Sequence, residues 1–188
     1  TPNTSSAASD VYKRQLDHAA RSESLLEILL PRLSGPLRIV DLACGHGSSL
    51  RYLAPRLPGP QHWTMLDVDP DLLAALAARR VPDGVTLTRR VVDLRTALAA
   101  LPLMGNLVVT SALLDLVSAD FLATLARRCC EGGLPLLAAL TVDGRVEWQA
   151  PDPLDSDVMR WFRAHQHTDR GSVSYTHLTL PTKWWVEG

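Results

Sequence analysis

The chain has 188 residues, 46% of them hydrophobic and 21% charged, with a formal net charge of -1, which is enough for one domain with a sizeable core and gives no ground for a second. A balance this close to neutral disfavours dedicated nucleic-acid binding, which needs a clustered basic excess, and no apolar run approaches a membrane span or forms a signal peptide. Cys44, Cys129 and Cys130 lack metal-ligand spacing and an adjacent pair rarely bridges to itself, so no metal is expected, and reduced thiols in a cytoplasmic setting are.

The two ends share one coding origin. Residues 10–15 (DVYKRQ) are encoded by GAT GTG TAT AAG AGA CAG, and the complementary strand in another frame encodes VSYTH, which is the sequence at 173–177. Extending the same DNA outward yields SSAAS at 5–9 on one strand and LTLPT at 178–182 on the other. That string resembles a transposon-end adapter of sequencing libraries, so 1–15 and 173–188 are expected to be adapter-derived and 16–172 to be the natural portion. Between those ends lie sixteen arginines and no lysine. Such usage points to a GC-rich bacterial gene, recovered as a metagenomic fragment.

From residue 16 the chain alternates helical and strand patterns. Leu25, Leu26, Ile28, Leu29 and Leu30, with Ser22 and Ser24 upstream, predict a helix over 16–33 that Ser34-Gly35-Pro36 ends. A strand over 37–42 enters a glycine turn, and Leu50, Leu53, Ala54 and Leu57 space a helix over 48–57. A second strand covers 63–68, and Asp69-Pro70 opens a helix to about 80. Strands follow at 85–92 and 107–111, a helix at 119–130 stopped by Gly132-Gly133, and a fifth strand at 134–141. Asp143-Gly144 favours a tight turn into 145–148, and a last helix covers 155–167. Strands alternating with helices predict an α/β, Rossmann-like doubly wound sheet, mainly parallel, whose ligand crevice lies at the carboxyl ends of the strands.

The candidate site residues fall at those ends. Gly45 and Gly47 sit between a strand and a helix start, where a ligand can approach the backbone with no Cβ in the way. Asp67 closes the second strand about twenty residues later, where a carboxylate in this topology accepts ribose hydroxyls. Asp93 closes the third, placed to accept from the exocyclic amine of adenine. A glycine turn followed by two strand-end carboxylates points to a nucleoside-bearing cofactor.

The run IVDLACGHGSSLRYL resembles the first motif of class I S-adenosylmethionine-dependent methyltransferases, with Asp41, Gly45 and Gly47 matching and Ala43 standing for the first glycine. WTMLDVDPDLL resembles the second motif, which implies that Asp67 holds the ribose and Val68 packs beside the adenine. VVDL resembles the third, with Asp93 and Leu94 at the adenine edge, and NLVVTSALLDLVS the fourth, whose backbone near Thr110 and Ser111 meets the methionine end of the cofactor. The opening DHAARS at 17–22 looks like a helix that lies over the cofactor in some members. The resemblance implies S-adenosylmethionine as cofactor and methyl transfer to a small-molecule acceptor. It also implies a class I sheet incomplete at its C-terminal strands, and hence an unstable, inactive fragment with an exposed sheet edge.

A dinucleotide dehydrogenase fits less well, because its fingerprint wants a third glycine where this chain has Leu50. A non-catalytic cofactor-binding scaffold is the other alternative. Cys44 in the turn is expected to be steric rather than nucleophilic. His165 and His167, two apart on a helix, point to different faces and make a poor metal pair. Asp115, just past the fourth strand, is the one candidate to orient or deprotonate an acceptor.

Overall fold

The structure, a computed structural model, describes residues 21–78, 80–139, 150 and 152–166, with side chains described to residue 161. The expected adapter-derived ends, the turn at 143–148, the start of the first helix and His167 lie outside the described residues, as does the side chain of His165.

In chain order the elements are α1 Glu23–Leu29, β1 Leu37–Leu42, α2 Ser48–Leu53, β2 Gln61–Asp67, α3 Pro70–Ala77, β3 Val85–Val91, α4 Leu94–Ala97, β4 Leu107–Ser111, α5 Ala119–Glu131, β5 Leu136–Ala139 and α6 Asp155–Gln166. Short 3-10 turns occupy Leu30–Arg32 and Leu114–Leu116. The five strands form one sheet in the order β3-β2-β1-β4-β5, and every pairing is parallel. Chain direction across the sheet reverses between β1 and β4, so the crevice of a doubly wound sheet opens between their carboxyl ends. No described helix is long and apolar enough to cross a membrane.

Because successive strand side chains point to opposite faces, each strand feeds two cores. Ile39 of β1, Trp63 and Met65 of β2, and Leu107 and Val109 of β4 pack with Leu26, Leu50, Leu53 and Leu76 on one side. Val40, Leu42, Leu66 and Val108 pack with Leu94, Leu98, Leu125 and Cys129 on the other. Strand β4, buried from Leu107 to Thr110, has the near-continuous apolar run of a parallel strand covered on both faces. Trp63 is fully buried and finds its partner in kind: its Nε1 donates to Gln61 Oε1 at 2.9 Å. Gln61 in turn donates to the carbonyls of Ala54 and Leu57, satisfying groups that the end of α2 leaves open.

The boundaries follow local chemistry. Asp69 caps α3 by accepting from the Asp71 and Leu72 amides, with Pro70 in the first turn where its missing N–H costs nothing. Helix α2 stops at Leu53 rather than reaching 57, since Pro55 has no N–H to continue it. Ser118 caps α5 by accepting from the Phe121 amide. Strand β5 begins at Leu136 instead of 134, after Pro135, whose carbonyl accepts from Val108 N. Helix α4 was not expected; Asp93 nucleates it by accepting from the Arg95 amide.

Candidate functional site: the carboxyl ends of β1, β2 and β4

Beyond β1 the chain turns through Ala43, Gly45 and Gly47 at φ of 52°, 50° and 75°. A hydrogen bond from Gly47 N to Cys44 O, 2.8 Å, closes the turn, and Cys44 N donates to Leu66 O of the neighbouring strand. Asp67, at the end of β2 and 7% exposed, fastens the same loop: its Oδ2 accepts from Gly45 N at 2.7 Å and its Oδ1 from Asp69 N at 3.0 Å. The glycine turn and the β2 carboxylate, separated by 22 residues, are thus one unit.

The two glycines differ. A Cβ on Gly45 would meet nothing within 4 Å, so the space beside it is open for a ligand. A Cβ on Gly47 would lie 2.6 Å from Leu76 Cδ2 and at a φ that L side chains avoid. Ala43 carries its strain already, at a left-handed φ where the family motif has glycine. Opposite stability effects are expected: Gly47→Ala should destabilise by about 1–3 kcal/mol through strain and overpacking, and Ala43→Gly should stabilise by up to about 1 kcal/mol. Urea midpoints check both, and shifts of the same sign would contradict the assigned conformations.

Asp41 closes the motif from inside. Its side chain is 1% exposed, and its Oδ2 has no hydrogen-bond partner. Burial pushes its carboxyl up to about 8, against the lowering pull of the Arg21 cation and with a further push from Asp67. Burial also raises the Cys44 thiol, helped by the charges of Asp41 and Asp67, which makes it a poor nucleophile and agrees with its steric role.

The remaining expected residues separate into three groups. Val68 is 59% exposed at the rim, an apolar surface open to a flat ring. Asp93 stands at the end of β3, but its carboxylate is engaged by Arg95 Nε at 3.0 Å and Nη2 at 2.7 Å, a fork that holds it below the usual carboxylate range. A nucleobase amine would have to share or displace that partner. The side chains of Leu94 and Thr110 are engaged within the fold. Leu94 packs into the second core, and the Thr110 hydroxyl donates to Leu42 O, tying β4 to β1. Ser111, the next residue, turns to the crevice side and accepts from Arg21 Nη2 at 3.3 Å.

Arg21 belongs to the DHAARS segment expected to lie over the cofactor, although the sequence assigned it no role of its own. It precedes α1, is 8% exposed, donates also to Ser48 Oγ at 3.0 Å, and lies 5.0 Å from the Tyr52 ring centroid. Its partners are 27 and 90 residues away, beyond any periodic signal. Asp115 lies in the 3-10 turn after β4, half-buried, with Oδ1 shielded and without a hydrogen-bond partner. Leu50, where a dinucleotide fingerprint needs glycine, is buried in the core. No group of metal-ligating side chains occurs among the described residues.

Residues 39–133 match the family described as Methyltransferase domain. Trans-aconitate 2-methyltransferase of Streptomyces avermitilis is 33% identical over 166 residues, covering 85% of this chain and 56% of that enzyme; the chain therefore spans about half the length of that relative. Among solved structures, an S-adenosylmethionine-dependent methyltransferase from Clostridium acetobutylicum superposes with a TM-score of 0.52 at 16% identity, covering 80% of this chain and 66% of that one. The likeness establishes a shared fold.

Proposed function

From the premise that the chain belongs to the methyltransferase-domain family of the class I, S-adenosylmethionine-dependent type, we propose that it transfers a methyl group to a small-molecule acceptor. The observation that carries this reading is the bond from Gly45 N to Asp67 Oδ2, which joins a ligand-accessible turn to a carboxylate at the carboxyl end of β2. The residues fit the cofactor. Asp67 has lone pairs left for ribose hydroxyls, Val68 offers an apolar face to the adenine, and the space at Gly45 admits the chain between them. Asp93 and the Leu94 backbone take the adenine edge in this reading, and Ser111 the methionine end. When bound, S-adenosylmethionine supplies an electrophilic methyl on a sulfonium; the protein supplies alignment and exclusion of water.

The relative named for trans-aconitate supports small organic acids as the first acceptor class to assay. An acceptor carboxylate is already deprotonated at neutral pH, so its oxygen can form the new O–C bond as the S–C bond breaks, with no proton to move. That chemistry suits a site where no side chain stands out as a general base. For a hydroxyl or amine acceptor, Asp115 is the candidate to orient it or take its proton. A reduced, cytoplasmic setting belongs to the same proposal, supported by three unbridged cysteines.

Titration calorimetry with S-adenosylmethionine and S-adenosylhomocysteine tests the reading. Saturable binding of both is expected, and binding of neither overturns it. Binding without label transfer from methyl-labelled cofactor to any of a panel of di- and tricarboxylic acids, hydroxy acids and amines would favour a cofactor-binding scaffold instead.

A further inference from the structure

The sheet order leaves β3 and β5 with one neighbour each. The two edges differ in length. Strand β5 has four residues, whereas β3 runs unbroken for seven, in register with β2 from Val85 to Val91. No proline or bulge interrupts it, and Thr88 to Val91 are exposed. An edge of this length is a template for another strand, because its outward N–H and C=O groups lack partners.

The bonds at the two ends of β3 show which groups face outward. Gln61 N donates to Gly84 O at 2.9 Å and Val92 N to Asp67 O at 2.8 Å. The backbone groups of one strand residue point the same way and alternate along the strand. Thr86, Thr88 and Arg90 therefore bond to β2, while Leu87, Arg89 and Val91 turn N–H and C=O to the open edge. Val85 N is closed in a turn on Pro82 O at 3.2 Å, which leaves its carbonyl. Among the described residues no strand covers this edge.

Antiparallel pairing sets outward residues opposite outward residues. A second β3 meets that condition when a two-fold axis passes through Leu87. Leu87 then faces Leu87 of the second copy, Arg89 faces Val85, and Thr88 faces Thr86. The side chains agree with the backbone. Both leucines, partly buried against the first core, close over each other. Thr86 and Thr88, whose hydroxyls meet the two ring nitrogens of His62 at 2.9 and 3.1 Å, form a favoured cross-strand pair. The exposed Arg89 comes to the strand end where the opposing turn carries Asp83. Moving the axis to Thr88 would set the two Arg89 side chains on one diagonal, and moving it to Arg89 would set them directly opposite. Like charges so placed repel, and charge thereby selects the axis at Leu87.

We propose that β3 pairs antiparallel with β3 of a second copy of this chain about an axis at Leu87, joining two sheets into one. Strand direction reverses across the axis, so the two crevices open at opposite ends of the joined sheet and neither is covered. One strand pair is a small interface, which makes the dimer weak and reversible.

Sedimentation equilibrium of the unaltered chain should show a monomer–dimer equilibrium with a dissociation constant of about 10–500 μM. Monomer alone up to about 1 mM would overturn the proposal. Arg89→Pro removes an outward N–H that the monomer does not use, at an edge position where proline is tolerated. It should weaken association by about 10-fold or more, and unchanged association would overturn the pairing. Cysteine substitutions in a Cys130→Ser background read the register. Under mild oxidation Leu87→Cys should form an intermolecular disulfide, since facing residues of such a pair have Cα atoms about 5.5 Å apart, within bridging range. Thr88→Cys and Arg89→Cys should not. Bridging at either of those positions and not at 87, or at none of the three, would overturn the axis. If Leu87→Cys does not fold, sedimentation of the unaltered chain beside Arg89→Pro decides.

Discussion

Asp67→Ala should lower affinity for S-adenosylhomocysteine by about 100-fold or more in calorimetric titration, the largest single-residue effect expected on binding. Two losses combine. The direct one is a pair of charge-assisted hydrogen bonds to ribose hydroxyls, each worth about 1.5–3 kcal/mol. The indirect one is preorganisation: the same carboxylate holds Gly45 N at 2.7 Å and Asp69 N at 3.0 Å, so its removal frees the glycine turn proposed to meet the cofactor. Asp67→Asn separates them, since an amide oxygen can still accept from one of those N–H groups but offers no charge to the ribose. An affinity for Asp67→Asn close to that of Asp67→Ala would assign most of the effect to charge, and one close to the unaltered protein would assign it to loop tethering. Unaltered affinity in Asp67→Ala would remove the residue from the ribose role.

The sequence carried the sheet well because its strands lie in the interior. Strands β1 and β4 fall where the apolar runs end, because both are covered on two faces and flanked by turn residues that admit no other reading. Helix α4 escaped notice because four residues cannot display a helical period, and the Asp93 cap that starts it is the same residue that motif logic assigned to adenine. One carboxylate serving a cap, an ion pair with Arg95 and a candidate ligand contact is invisible in a linear reading. The order Thr110-Ser111 could not tell which hydroxyl faces the crevice; the strand period sends Thr110 to the Leu42 carbonyl and Ser111 to Arg21. Arg21 was the hardest to read, since its contacts depend on β1 and β4 being neighbours and not on anything nearby in the chain. Glycine spacing located the turn after β1, and long-range packing brought Asp67 and Arg21 to it.

The buried carboxyl of Asp41 makes stability depend on pH in a direction opposite to that of an ordinary salt-bridged aspartate. In the unfolded chain it titrates near 3.8, and in the folded protein burial pushes it up to about 8. The folded state therefore binds the proton more tightly, and its contribution is fully present below about pH 4. As pH rises from there the unfolded chain ionises first, so stability falls by about 1.4 kcal/mol per pH unit until Asp41 itself ionises near pH 8, and is level beyond. Asp93, held below the usual range by its Arg95 fork, works the other way but only at the acid end, where that ion pair is lost as pH falls. Asp41→Asn keeps the shape and removes the titration, so the difference in unfolding free energy between the two proteins isolates Asp41. Measured by urea titration, that difference should move in favour of Asp41→Asn by several kcal/mol between pH 5 and 8. Parallel pH profiles would mean that Asp41 is ionised throughout and that the Arg21 guanidinium outweighs the cost of burial. Adding S-adenosylhomocysteine then probes the crevice from the other side. A charged ligand near Asp41 would change the field on its carboxyl, so proton uptake or release on binding, read from calorimetry in buffers of different ionisation enthalpy, should be seen in the unaltered protein and be absent in Asp41→Asn.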